Sequence, residues 1–152
     1  MSAAMAGRVE AIFITPQKGE LPHPVEQVRA GAGRGLEGNR YYWPNGNAPS
    51  GRAVTLIAAE AVEAVAAEGE VTVSAPATRR NVLTRGIDVN ELVGKRFRIG
   101  DVECEGVELC EPCKTLESMT QPGVIKAFVH RCGLNADILS DGEISVGDSV
   151  VA

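Results

Sequence analysis

Aromatic side chains are scarce in this chain. Phe, Trp and Tyr together make up 4% of its 152 residues, so a core has to be built from Val, Ile, Leu and Ala. Histidine is scarcer still, with only His23 and His130. A Cys–His hydrolase would have to use one of these, and neither lies in a recognisable nucleophile context. His23, between Pro22 and Pro24, reads as an exposed loop residue. His130 reads as the end of a helix, where a cation is favoured. Long apolar runs are missing: none approaches the roughly 20 residues of a membrane helix. The opening Met1-Ser2-Ala3-Ala4-Met5 has no basic segment followed by an apolar stretch, so it does not read as a secretory signal. Basic excess is also absent. Lys+Arg number 15 against 20 Asp+Glu, a net charge of −5, which weighs against binding duplex DNA by bulk charge. A cytoplasmic protein with neither a membrane nor a nucleic-acid partner is the expectation.

What is present is ordinary globular material, 44% hydrophobic and 23% charged, enough for one domain over residues 1–152 with a real core. Arg8 to Thr15 is rich in β-branched residues and reads as a strand, as does Val25 to Ala30. Gly31 to Gly51 is dense in Gly, Pro and Asn and reads as a long loop, a feature that is uncommon and often functional. Ala53 to Ile57 predicts a strand leading into an amphipathic helix that Gly69 ends. Short β-prone runs follow at Val82 to Thr84, Arg96 to Ile99 and Val102 to Leu109. Pro122 to Val129 predicts one short helix, and Leu134 to Leu139 and Ser149 to Val151 predict closing strands. The expected fold is mainly β, a β-barrel with a few short helices.

Three stretches bear on chemistry. Gly33-Arg34-Gly35-Leu36-Glu37-Gly38 fits the spacing of a dinucleotide-binding loop, but Tyr41-Tyr42-Trp43-Pro44 follows, which cannot propagate the helix such a loop must open. A glycine-supported turn is expected instead, with backbone amides and Arg40 available to an anion. Second, Arg79, Arg80, Arg85, Lys95, Arg96 and Arg98 concentrate basic charge between positions 79 and 98, where the acidic residues are Asp88 and Glu91. A solvated strand pair accounts for such a run, while arginine forks also suit phosphate. Asn81 offers a neutral hydrogen-bonding contact beside them.

Third, three of the four cysteines, Cys104, Cys110 and Cys113, fall within ten residues, and Cys132 follows. Cys110-Glu111-Pro112-Cys113 admits a redox pair, although no βαβ unit surrounds it. It admits half of a zinc site with His130 and Cys132, although His-x-Cys is an unusual second half. It also admits a single reactive thiolate at Cys113, stiffened by Pro112 and flanked by Lys114. If Cys113 is that thiol, Cys110 either resolves it through a reversible, oxidant-induced bond or packs inward. Cys104 and Cys132 read as small buried hydrophobes.

In this order, several motifs resemble the MOSC domain family, the module found at the C-terminus of molybdenum-cofactor sulfurases and as stand-alone bacterial proteins. They are Gly35 to Arg40 (GLEGNR), Arg79 to Asp88 (RRNVLTRGID), Leu92 to Gly100 (LVGKRFRIG), Glu111 to Lys114 (EPCK), and Gly133-Leu134 through Asp141 to Asp148 (DGEISVGD). The resemblance implies a MOSC-type β-barrel and binding of the molybdenum cofactor (molybdopterin). Cys113 falls on the family cysteine, implying a molybdenum ligand or the carrier of a persulfide. Arg80, Asn81, Arg85 and Arg40 fall on cofactor-contact positions. The implied activities are reduction of N-hydroxylated compounds with a partner electron donor, or sulfur transfer from a cysteine desulfurase. A non-catalytic zinc or metal-free binding module is the further alternative. Pyridoxal phosphate belongs to a separate sulfurase domain for which this chain has no room, so it is not expected. The sequence departs from the family where Asn39 and Asn135 stand for the usual Asp and Arg, and where Cys132 stands for a frequent glycine.

Overall fold

The structure, a computed structural model, describes residues 6–152. Alternation of apolar and polar residues builds most of its strands. In Arg96-Phe97-Arg98-Ile99 the two arginines face solvent while Phe97 and Ile99 are buried, the period-2 pattern of a strand with one dry face. Eleven strands form: β1 (Ala6–Ile14), β2 (His23–Val25), β3 (Gln27–Gly31), β4 (Gly35–Leu36), β5 (Val54–Ala58), β6 (Val82–Arg85), β7 (Arg96–Ile99), β8 (Val102–Leu109), β9 (Leu134–Ile138), β10 (Gly142–Ser145) and β11 (Ser149–Val151). Three short helices join them, α1 (Ala59–Ala67), α2 (Lys114–Met119) and α3 (Val124–Phe128).

Seven strands close into a barrel in the order β11-β7-β8-β9-β5-β6-β1, with β11 pairing back onto β1 and β2 extending from β1. Neighbours run antiparallel except β5 and β6, which are parallel. The helix α1 lies between β5 and β6 in the chain, the usual means of returning the chain to a parallel neighbour. A separate three-stranded sheet, β10-β3-β4, packs its Val28, Ala30, Leu36 and Ile144 into the barrel core. That core also holds Ile12, Leu56, Val82, Ile99, Leu134 and Cys104. A second apolar cluster lies where the helices cover the barrel, with Phe13, Ile57, Val65, Leu116, Val124, Phe128 and Cys132. A register shift in β1 between Val9 and Ala11 lets Val9 and Ile12, three residues apart, both face the barrel core.

The barrel is as expected, and four elements differ from the sequence reading. Val25 to Ala30 is two strands in two sheets, broken at Glu26. The helix predicted from Pro122 begins at Val124, because Gly123 takes φ 94° immediately before it. The helix α2 and the strand β10 were not anticipated. No helix opens after Gly33-Arg34-Gly35: β4 follows, and a Cβ at Gly33 (φ 65°) would lie 2.6 Å from the Gly46 oxygen. The glycines serve a tight turn.

Candidate functional site

The ends of β1 and β8 and the starts of β5 and β6 meet at one side of the barrel, and there a cavity of about 590 Å³ opens. Loop segments complete it. The turn after β4 is held to the end of β1, because Thr15 N donates to Asn39 Oδ1 at 2.9 Å and Arg40 N donates to Thr15 O at 2.9 Å. The loop before β5 is tied to β9, Gly51 N donating to Asp137 Oδ1 at 2.6 Å. The cysteine loop and α2 form the remaining wall, contributing Cys110, Glu111, Cys113, Leu116 and Met119.

The charges in this wall are unlike those of the chain as a whole. Lys18, Arg40, Arg52, Arg79 and Arg80 face two carboxylates, Glu108 and Glu111, a formal +3 in a chain of −5. Among the described residues none of the five cations lies in a salt bridge, whereas Arg8, Arg85, Arg131 and His130 each do. Low-dielectric walls lined with one sign of charge concentrate counter-ions, so the cavity is built to attract an anion. Lys18 and Arg52 were not anticipated from the sequence. They lie far from the other cations in the chain and join them only through the fold.

Cys113 is exposed and lines this cavity. It stands directly before α2, its carbonyl accepting from Glu117 N at 3.0 Å. The other thiols are withdrawn. Burial pushes Cys104 up to about 12 and Cys132 up to about 11, and raises Cys110 as well.

Arg80 also borders the cavity, but its fork is largely committed to the protein. Nε donates to Cys132 O at 2.8 Å, Nη2 to Cys110 O at 3.0 Å and Nη1 to Thr78 O at 3.3 Å. Nη2 also stands 3.1 Å from Cys132 Sγ. Arg80 is thus the strut that joins the cysteine loop to the start of β9. A second tie holds the same loop, where His130 N donates to Glu111 Oε1 and His130 Nδ1 pairs with Glu111 Oε2, both at 2.7 Å. The His130 backbone hydrogen bond is the main reason the Glu111 carboxyl lies below its ordinary range. His130 therefore anchors the loop rather than closing a helix.

Asn81 is buried and similarly occupied. Its Oδ1 accepts from Thr55 N and Thr55 Oγ1 at 3.1 Å each, and its Nδ2 donates to Phe13 O at 3.1 Å. It fastens β5, β6 and β1 together beneath the cavity. Asn135, by contrast, lines the wall with a carboxamide that makes no hydrogen bond among the described residues. The structure does not bring Arg85 to the cavity. It pairs with Glu10, Nε to Oε1 at 2.6 Å, and with Glu63. It stands four residues along β6 from Asn81, about 13 Å away at the rise of a strand.

The zinc arrangement is not formed. Among the described residues no group of three or more His, Cys, Asp or Glu side chains comes together to hold a metal ion. The Arg80 guanidinium against Cys132 Sγ, and the carboxylate against His130 Nδ1, occupy two of the four groups that a zinc site would need. No described helix is long and apolar enough to cross a membrane.

Comparison with known proteins agrees with this architecture. The chain superposes on the YUAD protein from Bacillus subtilis with a TM-score of 0.80 at 17% identity, covering 99% of this chain and 97% of that one. YiiM from Geobacillus stearothermophilus gives 0.75 at 16% identity over 96% and 75% of the two chains. YiiM from Escherichia coli gives 0.70 at 17% over 95% and 69%. At these identities the likeness is one of fold. No curated protein sequence matches the chain significantly. The MOSC domain model matches residues 35–151, which include the barrel from β5 to β11, the arginine run and the cysteine loop, and by that match the chain belongs to the MOSC domain family.

Proposed function

We propose that the chain binds the molybdenum cofactor in the cavity beside β1 and β8, with Cys113 as the thiolate ligand of the metal. The observation that carries this reading is the meeting, in one cavity, of an exposed thiol with cations that have no carboxylate partner. The residues present suit the group. Thiolate is a soft donor of the kind such metals take. Arg40, Arg52, Arg79 and Lys18 offer charge-assisted donors to a phosphate tail. Asn135 offers an uncommitted amide to a pterin edge, a role that Asn81 is too occupied to fill. The cavity volume lies in the range of small-molecule and cofactor sites. Arg80 and Glu111 act by holding the cysteine loop, so that the Cys113 sulfur is presented in one place.

The bound cofactor supplies two-electron redox chemistry, suited to reducing N-hydroxylated compounds with electrons from a partner protein. Within the chain, Cys113 ligates, the cationic wall orients and Asn135 discriminates. The test is the molybdenum and pterin content of protein purified from a host that makes the cofactor. Wild type and Cys104→Ala should retain both, and folded Cys113→Ser should retain neither. Wild type that carries no molybdenum or pterin overturns the reading.

A second reading is favoured by one observation, that Cys113 is the exposed cysteine of the four. The Cys113 thiolate would attack the outer sulfur of a desulfurase persulfide, releasing the donor's cysteine thiolate and leaving a persulfide on Cys113. Cyanide-labile sulfur on metal-free protein after incubation with a desulfurase and cysteine supports it. Loss of that sulfur in Cys113→Ser assigns the carrier.

A further inference from the structure

We propose that the metal-free chain is a thiosulfate sulfurtransferase, in which Cys113 attacks the donor while Arg52 and Asn135 hold its sulfonate. The proposal rests on the second reading above for a persulfide on Cys113, and replaces the protein donor of that reading with a small sulfane anion.

The first observation is how firmly the cysteine loop is tied. Cys110 N donates to Gly133 O at 2.8 Å, and Arg80 Nη2 donates to Cys110 O at 3.0 Å. Glu111 holds the His130 amide and ring, both at 2.7 Å. Pro112 fixes its own φ, and Cys113 O accepts from Glu117 N at 3.0 Å. The loop is thus anchored along its length, with Cys113 in the wall of a concave cavity. A carrier that collects sulfur from a protein partner needs a thiol that reaches outward. Here the donor has to enter the cavity.

The second observation is a pair of uncommitted donors beside that loop. The strand β8 runs directly into it, and Glu108 of β8 stands opposite Asn135 of β9. Gly51 packs on the same two strands, where a Cβ would lie 3.5 Å from Val107 Cβ and 3.6 Å from Asn135 Cβ. Its N–H is held there by Asp137 Oδ1 at 2.6 Å. The next residue, Arg52, is thereby carried to the ends of β8 and β9 that adjoin the cysteine loop. Arg52, Asn135 and Cys113 all line the cavity. Neither the guanidinium nor the carboxamide makes a hydrogen bond or ion pair among the described residues. Glu111 is spent on His130, so the remaining carboxylate at this end is Glu108.

These groups match a sulfane donor with a dianionic leaving group. The Cys113 thiolate attacks the outer sulfur of thiosulfate and forms a sulfur–sulfur bond to it. The bond from that sulfur to the sulfonate sulfur breaks, and its electron pair leaves with sulfite. Charge is conserved between persulfide and sulfite, and neither oxidant nor reductant is consumed. Donors already in place stabilise the charge on the departing sulfonate. Cyanide then takes the outer sulfur, leaves as thiocyanate and restores the Cys113 thiolate. A Cys113 sulfur bound to a metal is not free to attack, so the activity belongs to the metal-free chain.

The test incubates metal-free full-length protein with thiosulfate and reads bound sulfur by intact mass. With cyanide added, thiocyanate is read by its ferric absorbance. Wild type should gain a single sulfur atom on Cys113 and turn over with saturation in thiosulfate, and Cys113→Ser should do neither. Arg52→Gln should lower kcat/KM for thiosulfate about tenfold or more, the effect of one lost charge-assisted contact, and Asn135→Ala about threefold. Glu108→Gln removes a repelling charge and should raise it. Arg98→Gln, on the exposed face of β7, should leave it unchanged. Sulfate, a dianion of similar shape with no sulfane sulfur, should compete with thiosulfate at constant ionic strength. Wild type that takes no sulfur from thiosulfate but is loaded by a desulfurase and cysteine overturns the small donor and spares the carrier. Loading by neither source overturns both. Sulfur gained by Cys113→Ser overturns the choice of nucleophile. Wild-type kinetics in both Arg52→Gln and Asn135→Ala, or equal weakening by Arg98→Gln, overturns the sulfonate site.

Discussion

Replacing Arg80 by alanine should destabilise the fold before it affects any ligand. The side chain donates to the Cys132 and Cys110 carbonyls at 2.8 and 3.0 Å, and more weakly to Thr78 O at 3.3 Å. Charged donors of good geometry contribute about 1.5–3 kcal/mol each where water cannot replace them. Here the cavity admits water to part of the fork, so two strong contacts at the low end give a loss of about 2–4 kcal/mol. Urea unfolding should show a lower midpoint with an unchanged slope, the mark of a stability change alone. Arg80→Lys keeps the charge but has no planar fork, and one ammonium cannot serve all three carbonyls. It should lose more than half as much stability as alanine. Cys132, which burial now pushes up to about 11, should become accessible to alkylation in both variants. A midpoint unmoved in Arg80→Ala refutes the strut. Full stability in Arg80→Lys shows that charge matters and the fork does not.

Other outcomes follow from the same geometry. Under native conditions iodoacetamide should modify Cys113 first and Cys110 more slowly, leaving Cys104 and Cys132 until unfolding; native modification of Cys104 at the Cys113 rate refutes this order. Glu111 has its carboxyl held below the unfolded value of 4.5, so its bond to His130 is fully present above that pH and is lost as pH falls through the lower folded value. The His130 amide resonance should move across that acid window and stay still in Glu111→Ala; a shift that persists in the variant refutes the assignment. Gly133 takes φ 114°, and a Cβ there would sit 2.1 Å from Leu56 O, so Gly133→Ala should lose about 2–4 kcal/mol from backbone strain and overpacking. Wild-type thermal stability in that variant would show that β9 can shift to accommodate it.

Much of the barrel is legible in the sequence because its strands alternate. Arg96 to Ile99, Val102 to Leu109 and Ser149 to Val151 have the bounds their patterns predict. Where local pattern is thin, the fold decides. The strand β10 buries only Ile144, too little periodicity to read. The helix α2 has six residues and no side-chain cap, and it is held by burying Leu116. Glu26 breaks an apparently single strand because the chain changes sheets there, His23–Val25 pairing with β1 and Gln27–Gly31 with β10, a switch set by tertiary pairing. The site divides in the same way. Cys113 and the arginine run are visible as local motifs, but the fate of each arginine is tertiary. Arg80 meets carbonyls at positions 110 and 132, Arg79 lines the cavity, and Arg85 meets Glu10 and Glu63. Lys18 and Arg52 have no motif at all.

The seam between β1 and β11 pairs Ala6 with Val151 and Arg8 with Ser149, positions almost the whole described sequence apart. Such a contact is entropically late, and topologies dominated by distant pairings fold slowly. During synthesis β1 leaves the ribosome early, and one of its edges waits for a partner until residues 149–151 emerge. Until then β1 and β7 each present an unpaired row of backbone donors and acceptors, the kind of edge that recruits other chains. A nascent chain arrested before β11 is therefore a natural client for a holdase chaperone, and the last three-residue strand converts an adhesive sheet into a closed and self-contained one.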